Sequence, residues 1–431
     1  MKELQLEAKR IEDSRGRPTV QVVARLNGLE GKGDVPAGAS KGEDEAATVD
    51  VEVAVKNVHD VILPLLRASS WDLKKHADLV QAERAVVAKA GDNFKILGAN
   101  AVVPTSRALW QLAAKLAGME LWSYLRKHEP AAAGSERVSF YMNIFNGGLH
   151  ALKKKDGEVL GKDRIDIQEI MVVPVAAARY AEALLWGEKI DAALKRILID
   201  KFGDQAVTRA DEAGFSVKGL GDSSAAFALV FEAIKKAGFE PGRQVKMALD
   251  VAASSFFDAK TGKYQLRGDV ISSDEMRAYL SGLVDKYPGM ILSIEDGLAE
   301  NDWAGWTKHS AQMHERQVLT IGDDLFVTQL PRLEKGIATK AAHAILIKVN
   351  QNGSMTGTLD VIKHAKQHGM KWVVSHRSGE TLDDSIADLA FATGALGLKT
   401  GDPQPERDFP ERNTWVRRAK YLRMVAIEKQ Q

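Results

Sequence analysis

The stretch VKMALD, residues 245–250, is a short apolar run that ends in an aspartate, and the same pattern recurs further along the chain. The later runs are MILSIE, VLTIGD, AILIK, WVVSH and ALGLK, which end at Glu295, Asp323, Lys348, His376 and Lys399. Successive ends are 23 to 45 residues apart, which leaves room for a strand, a loop and a helix. Continuous apolar strands with this spacing are typical of a parallel sheet covered by helices.

Repeated β/α units can close into a barrel or form an open, doubly wound sheet. A barrel places its catalytic groups at the carboxyl ends of many strands, whereas an open sheet concentrates its site at one switch point. Here a polar residue ends strand after strand. The pattern therefore favours an α/β barrel.

The first part of the chain has a different pattern. Residues 19–26 are rich in valine and lead into Asn27-Gly28, which is a strong signal for a two-residue hairpin turn. From about residue 46 to residue 125 the apolar spacing becomes helical. We therefore predict a small α+β unit at the start of the chain.

The stretch HEPAAAGS, residues 128–135, combines proline, glycine and small residues. This composition is typical of a linker between domains. We therefore predict an N-terminal α+β domain over residues 1–133 and a barrel domain over residues 134–431.

The bulk composition excludes several classes of protein. The formal net charge is +1, so no global field attracts nucleic acid or an anionic membrane surface. The chain has no cysteine, so metal ligands must be oxygen or imidazole. No apolar stretch reaches the roughly 18 residues of a membrane-spanning helix, and the start lacks the apolar core of a secretory signal. We expect a soluble, cytoplasmic protein with no nucleic-acid or membrane partner.

Three successive predicted strands end in acids, Asp250, Glu295 and Asp323. In a barrel these acids would be neighbours, and three carboxylates cannot share a confined space as anions without a cation between them. Mg²⁺ is the natural candidate for such oxygen ligands. Each acid taken alone is more simply a helix N-cap or an exposed loop residue. The three together predict a metal site.

The next two strand ends carry basic groups. Lys348 follows an apolar strand, and burial close to a metal would favour its neutral form, which suits proton abstraction. Arg377 and Ser378, in the segment SHRSGE, could hold a phosphate through guanidinium and backbone N–H groups. The same segment is equally consistent with a helix cap whose charges are solvated.

With these residues the chain resembles the enolase family, the 2-phosphoglycerate dehydratases of glycolysis. The resemblance runs in order from about residue 9 to residue 425. The matching segments are DSRGRPTV from Asp13, VPAGASKGEDEA from Val35, LGANA from Leu97, FNGGLHA from Phe145, QEIMVVPV from Gln168, DEAGF from Asp211, DVAASSFF from Asp250, SIED from Ser293, GDDLFVT from Gly322, KVNQNGS from Lys348, SHRSGET from Ser375 and KTG from Lys399.

The resemblance implies an enolase-type β/α barrel with an N-terminal α+β cap domain, and first barrel strands that depart from simple alternation. It implies two Mg²⁺ ions per active site, the second of them linked to the substrate. The implied ligands of the first ion are Asp250, Glu295 and Asp323. Ser40 and the substrate phosphate would hold the second ion.

The resemblance also implies roles in catalysis and substrate binding. Lys348 would take the α-proton, and Glu212, assisted by Glu169, would protonate the departing hydroxyl. The implied substrate is a small phosphorylated carboxylic acid, and the implied assembly is a homodimer or a higher homo-oligomer. The implied substrate contacts are Lys399 with the carboxylate, Arg377 and Ser378 with the phosphate, and His150, Gln168 and His376.

The chain departs from the family pattern close to the implied substrate contacts. The interval from His150 to Gln168 is 18 residues, longer than the family usually has. This interval is either a solvated surface flap or a site for an extra anionic group, since it contains Lys153, Lys154, Lys155 and Lys162. The other departures, none of which removes a catalytic group, are Leu149, Lys41, Ala213 and Gly297-Leu298.

Three functions compete. The leading hypothesis is Mg²⁺-dependent, reversible dehydration of 2-phosphoglycerate to phosphoenolpyruvate. The enzymatic alternative is a specialised paralogue that acts on a related phospho- or phosphono-acid, similar to the carboxyphosphonoenolpyruvate synthases. A non-catalytic scaffold is disfavoured, because a scaffold would not need the metal carboxylates, a buried lysine and an acid in register.

Overall fold

The computed structural model describes residues 1–38, 42–148, 153–155, 158–160, 165–403 and 413–431. Ser40 and His150, and most of the lengthened interval after His150, lie outside the described residues. Two short strands of that interval are described, as given below. The predicted roles of Ser40 and His150 therefore stay predictions.

The N-terminal domain combines one antiparallel sheet with a set of helices. Its strands are β1 (Gln5–Glu12), β2 (Pro18–Leu26) and β3 (Leu29–Asp34), with β2 in the centre. Asn27 and Gly28 between β2 and β3 have φ of 54° and 76°, the left-handed pair that a type I′ hairpin turn requires. The predicted hairpin is confirmed. The helices are α1 (Val51–Asn57), α2 (Leu63–Ala68), α3 (His76–Lys89), α4 (Ala99–Leu116) and α5 (Leu121–His128), with a π-helical turn at Val58–Ile62 and a 3₁₀ turn at Asp92–Phe94.

Helix α4 is the buried centre of this domain. It packs so closely on β3 that a Cβ atom at Gly31 would lie 2.1 Å from the carbonyl oxygen of Ala108. No real side chain tolerates that distance, so glycine is required for the contact. Helix α5 ends at His128 and the next strand begins at Ser139, so the domain boundary that we propose falls between these two elements.

The rest of the chain alternates strands and helices. The strands are β4 (Ser139–Asn146), β5 (Lys153–Lys155), β6 (Glu158–Leu160), β7 (Glu169–Val173), β8 (Val207–Arg209), β9 (Phe215–Val217), β10 (Lys246–Asp250), β11 (Phe257–Asp258), β12 (Lys263–Leu266), β13 (Asp269–Ile271), β14 (Ile291–Glu295), β15 (Leu319–Gly322), β16 (Ala344–Ile347), β17 (Lys371–Ser375) and β18 (Gly397–Lys399). The helices are α6 (Tyr180–Phe202), α7 (Ser223–Lys236), α8 (Ser273–Lys286), α9 (Trp303–Glu315), α10 (Leu330–Thr339), α11 (Val349–Asn352), α12 (Met355–Gln367), α13 (Ser385–Thr393) and α14 (Asn413–Lys429).

Eight of these strands close into a barrel. The order around the ring is β4, β7, β10, β14, β15, β16, β17 and β18, and β18 returns to pair with β4. Neighbours in the ring are parallel except at β7, which is antiparallel to both β4 and β10. The predicted barrel and its irregular start are therefore confirmed. Outside the ring, β9 pairs with β4, β8 with β9, and β5 with β6.

The six runs picked out in the sequence are the strands β10 and β14 to β18. A separate group of buried apolar side chains fills the inside of the ring, as expected for a barrel of this size. Its members are Tyr141, Met171, Val173, Ala248, Ile321, Ala344, Leu346 and Val373. Because the centre is packed, the open mouth at the carboxyl ends of the parallel strands is where polar groups can gather.

The N-terminal domain is fixed on that mouth by backbone contacts. Ala37 and Gly379 exchange two hydrogen bonds of 2.8 Å across the boundary. The buried Glu83 of α3 accepts the backbone N–H groups of Met355 and Thr356 at 2.9 and 3.1 Å, at the start of α12. The domain therefore acts as a cap whose loops reach the barrel mouth.

Among the helices in the described part of the chain, none combines the length and apolar character that crossing a bilayer requires.

His309 of α9 is a fully buried histidine. Its side chain faces Gly297, where an added Cβ atom would lie 2.8 Å from Nε2. Neither ring nitrogen has a hydrogen-bond partner among the described residues. Burial, together with repulsion from Arg277 and His343, lowers the pKa of His309 to about 3.

This low pKa predicts a specific pH dependence of stability. An unfolded chain protonates histidine near its ordinary pKa of about 6.5, whereas the folded protein keeps His309 neutral down to about pH 3. The unfolded state binds more protons in that window, so stability falls as the pH falls. In the wild type, His309 should lower the free energy of unfolding by up to about 1.4 kcal/mol per pH unit below pH 6.5, and His309→Leu should remove this pH dependence. Urea unfolding at pH 7.5, 5.5 and 4.5 measures the free energy of unfolding of both proteins. A difference between variant and wild type that stays constant with pH would contradict the prediction.

Candidate active site

A pocket of about 260 Å³ opens at the barrel mouth under the cap. Its lining is strongly acidic. The basic side chains that line it are Lys348, Arg377 and Lys399. The acids that line it are Glu169, Glu212, Asp250, Asp296, Glu300, Asp323 and Asp324. So many acids in a confined space need neutralisation by cations or protons.

Lys399 is the centre of one half of the pocket. Its ammonium nitrogen lies 2.9 Å from Asp250 and Glu295 and 3.2 Å from Glu169. Strand pairing explains the meeting, because Asp250 is in register with Glu169 on one side and Glu295 on the other. Burial lowers the pKa of Lys399, but these carboxylates outweigh it and hold the pKa well above its usual value. Gln168 completes this half, with Nε2 3.4 Å from Asp250.

Lys348 and Asp323 form the other half. The Lys348 ammonium donates a hydrogen bond to Asp323, and Asp323 also accepts one from Gln351 at 3.1 Å. Burial alone would lower the pKa of Lys348, but the attraction of Asp323 outweighs it and the pKa is raised. This direction is opposite to the one that we expected from burial beside a metal. The direct contact with a carboxylate is the reason.

The acids beside these lysines have perturbed pKa values. Burial, reinforced by repulsion from Asp250, raises the pKa of Glu295 well above its usual value. Burial and repulsion from Asp323 raise the pKa of Asp324 to about 7. Burial and repulsion from Asp324 also raise the pKa of Asp296 well above its usual value. Each shift reflects burial first and repulsion between neighbouring carboxylates second.

A divalent cation fits this donor set. The carboxylate oxygens of Asp296, Asp323 and Asp324 lie within 4.8 Å of one another, which is close enough to share one ion. Of the three predicted ligands, Asp323 belongs to this group, whereas Asp250 and Glu295 surround the Lys399 ammonium. All five acids supply only oxygen, the ligand that Mg²⁺ prefers.

Glu212 is held by a histidine that directly follows β17. His376 Nε2 lies 2.9 Å from Glu212, and His376 Nδ1 lies 2.5 Å from Arg417 of α14. Arginine can only donate, so Nδ1 accepts and Nε2 carries the proton that is donated to Glu212. Burial lowers the pKa of His376 to about 3, although the Glu212 carboxylate opposes the shift. His376 is therefore neutral at physiological pH.

The cap supplies a partner for Arg377. Nη1 and Nη2 of Arg377 both donate to the carboxylate of Glu45, and Nη1 also lies 3.3 Å from Asn350 Oδ1. Both charged side chains are 5% exposed. Ser378 accepts a hydrogen bond of 3.4 Å from Arg15, a second cap residue. These contacts fix the guanidinium at the edge of the pocket, where an anionic group could reach it.

The pocket therefore brings together Lys348, Glu212, Glu169, Asp250, Asp323, Gln168, His376, Arg377, Ser378 and Lys399, with Glu295 behind Lys399. Sequence reasoning missed Asp296 and Asp324, although each directly follows a predicted ligand. It also missed Glu45, which lies inside a matched segment. Arg417 carried no signal, since it lies outside the matching segments, the last of which is KTG from Lys399.

Arg417 provides a test of the His376 tautomer. In Arg417→Met, Nδ1 of His376 loses its donor, so both neutral tautomers become populated and fewer molecules donate to Glu212. Nitrogen NMR of the histidine side chain should detect protonated Nδ1, and activity should fall by about 10-fold. Arg423→Met is the matched control, because Arg423 lies on the same helix but pairs with Asp388. An unchanged tautomer would contradict the prediction.

Two family descriptions match the chain. The N-terminal domain of enolase matches residues 4–125, and the C-terminal TIM barrel domain of enolase matches residues 138–430. Enolases are lyase-type enzymes that generally use Mg²⁺ and bind small phosphorylated acids, which agrees with the acid-rich pocket and its basic edge. Because the two matches together span nearly the whole length, this chain belongs to the enolase family.

Proposed function

We propose that the protein is a Mg²⁺-dependent enolase that reversibly dehydrates 2-phosphoglycerate to phosphoenolpyruvate. The observation that carries the proposal is the set of side chains that line one pocket. A lysine amine and an acid bonded to a neutral histidine share it with carboxylates from several barrel strands. Removal of a proton and loss of a hydroxyl need those two kinds of group.

Asp250, Glu295 and Asp323 are the proposed ligands of the first Mg²⁺, and Ser40 with the substrate phosphate the proposed ligands of the second. When bound, the ions take up the negative charge that develops on the substrate carboxylate. A cation held by Asp323 would also weaken the attraction between that carboxylate and Lys348. The pKa of Lys348 would then fall, and the neutral amine would become available.

Lys348 is the proposed base. Its neutral amine takes the α-proton, and the electron pair of the C–H bond moves toward the substrate carboxylate. A lysine base beside one or two Mg²⁺ ions is the established arrangement for the enolase superfamily and is not a new finding here. Lys399, buried among carboxylates, is the proposed partner of the substrate carboxylate.

Glu212 is the proposed acid. The electron pair returns to form the carbon–carbon double bond, the β-carbon–oxygen bond breaks, and the hydroxyl leaves as water with a proton from Glu212. Lys348 ends protonated and Glu212 deprotonated, which balances the step. His376 donates to Glu212, and Glu169 assists from beside Lys399. Arg377 and Ser378 are proposed to hold the phosphate, and His150 and Gln168 to complete the substrate contacts.

From the resemblance alone, we further propose that the enzyme acts in glycolysis in the cytoplasm, as a homodimer or higher homo-oligomer. The lengthened interval after His150 supports an alternative, a paralogue for a related phospho- or phosphono-acid. Turnover of 2-phosphoglycerate, followed by absorbance of the enol product, separates the two. Negligible turnover with Mg²⁺ bound would favour the paralogue.

Substitutions of the base and the acid should have different effects. Lys348→Ala should lower both dehydration and exchange of the α-proton with deuterium by about 100- to 10,000-fold. Glu212→Gln should lower dehydration by a similar factor but retain exchange, because Lys348 is intact. Proton NMR in heavy water measures both rates. Lys363→Ala, which removes a half-buried ion-paired lysine elsewhere, is the control. Full exchange in Lys348→Ala would show that another group is the base.

Metal removal should abolish activity. Treatment with a chelator should stop turnover, and added Mg²⁺ should restore it. Asp323→Asn should raise the Mg²⁺ concentration needed for half-maximal binding by about 10- to 100-fold, measured by calorimetry without substrate. Asp360→Asn, an acid paired with Arg84 outside the pocket, should leave it unchanged. Unaltered Mg²⁺ binding in Asp323→Asn would remove Asp323 from the ligand set.

A further inference from the structure

The turn that carries Glu212 has an unfavourable backbone. Glu212 and Ala213 follow each other with φ of 57° and 66°, both in the left-handed region. Residues with a side chain rarely adopt this region, and they keep it where neighbouring groups hold them there. Whatever holds this turn therefore determines where the Glu212 carboxyl points.

Arg209 holds the turn directly. It is the last residue of β8, and its side chain is 7% exposed. Its Nη1 donates a 2.8 Å hydrogen bond to the carbonyl oxygen of Ala213. Its guanidinium carbon lies 3.7 Å from the centre of the Phe215 ring, which fixes the plane of the group. Arg209 therefore contacts Ala213 and Phe215, which closely follow Glu212 in the chain.

The same guanidinium ties the turn to two other elements. It binds the Asp191 carboxylate of α6 with two nitrogens, at 2.8 and 2.6 Å. Nη1 also lies 2.8 Å from Asp402, just after β18, and both acids are fully buried. Asp402 in turn donates its backbone N–H to the carbonyl oxygen of Glu212 at 3.1 Å. One cation therefore joins the turn, an outer helix and the end of the barrel.

We propose that Arg209 is a positioning residue for the general acid. Through Ala213 and Asp402 it fixes the backbone of Glu212, and with it the direction from which the leaving hydroxyl is protonated. The inference rests on the proposed function of Glu212. Arg209 is not among the described residues that line the pocket, and within the described part of the chain its guanidinium bonds to Asp191, Ala213 and Asp402 rather than to Lys348. Proton abstraction should therefore not depend on it.

The test separates the two chemical steps. Arg209→Lys keeps a positive charge between Asp191 and Asp402, so the protein can fold, but lysine has no planar fork to bind both acids and the Ala213 carbonyl. With 2-phosphoglycerate and Mg²⁺, dehydration should fall by about 10- to 100-fold, because a displacement of about 1 Å has effects of this size. Exchange of the α-proton should stay within about twofold of wild type.

Arg423→Met is the control, since it removes another arginine that binds an aspartate with two nitrogens, and its partners are Asp388 and Glu120 rather than residues of the Glu212 turn. Both of its rates should match wild type. If exchange and dehydration fall together in Arg209→Lys, or if neither falls, the positioning role is wrong. A wild-type protein that neither exchanges nor dehydrates 2-phosphoglycerate would overturn the proposed function, and this inference with it. The wild-type rates therefore distinguish the two failures.

Discussion

The rest of the site depends on the contact of one ammonium group with three carboxylates. Lys399 ends β18, whereas Glu169, Asp250 and Glu295 stand at the mouth on β7, β10 and β14. These strands are distant in sequence, and they meet because the ring closes between β18 and β4. In an open sheet β18 would be an edge strand. Closure of the barrel is therefore also what assembles the charge balance of the pocket.

Much of this architecture could be predicted from short-range sequence patterns. An apolar run that ends in a charged residue identified β10 and β14 to β18, because a buried parallel strand must be apolar along its length and can turn polar where it leaves the sheet. The hairpin at Asn27-Gly28 was equally clear, since few residue pairs tolerate two left-handed positions. Family resemblance then added Glu212 and Gln168, which no strand pattern identifies.

Other features depend on contacts between distant parts of the chain. Arg417 on the last helix selects the tautomer of His376, which is 41 residues away in the sequence. No local sequence pattern predicts this contact. The raised pKa of Lys348 could not be predicted from the sequence either, because burial lowers the pKa of a lysine whereas a carboxylate in contact with it raises the pKa. The balance between them depends on side-chain geometry. Arg209 is similar, since its importance comes from the meeting of β8, α6 and the segment after β18.

The pairing of Glu45 with Arg377 has a consequence for how the two domains can vary. The guanidinium belongs to the barrel, yet the carboxylate that sets its orientation belongs to the cap. A barrel joined to the cap of another relative would keep all the functional side chains of the barrel. It would still lose the orientation of the Arg377 guanidinium, unless the new cap placed an acid at the position of Glu45. The two halves are therefore not interchangeable parts, and sequence drift in one restricts drift in the other.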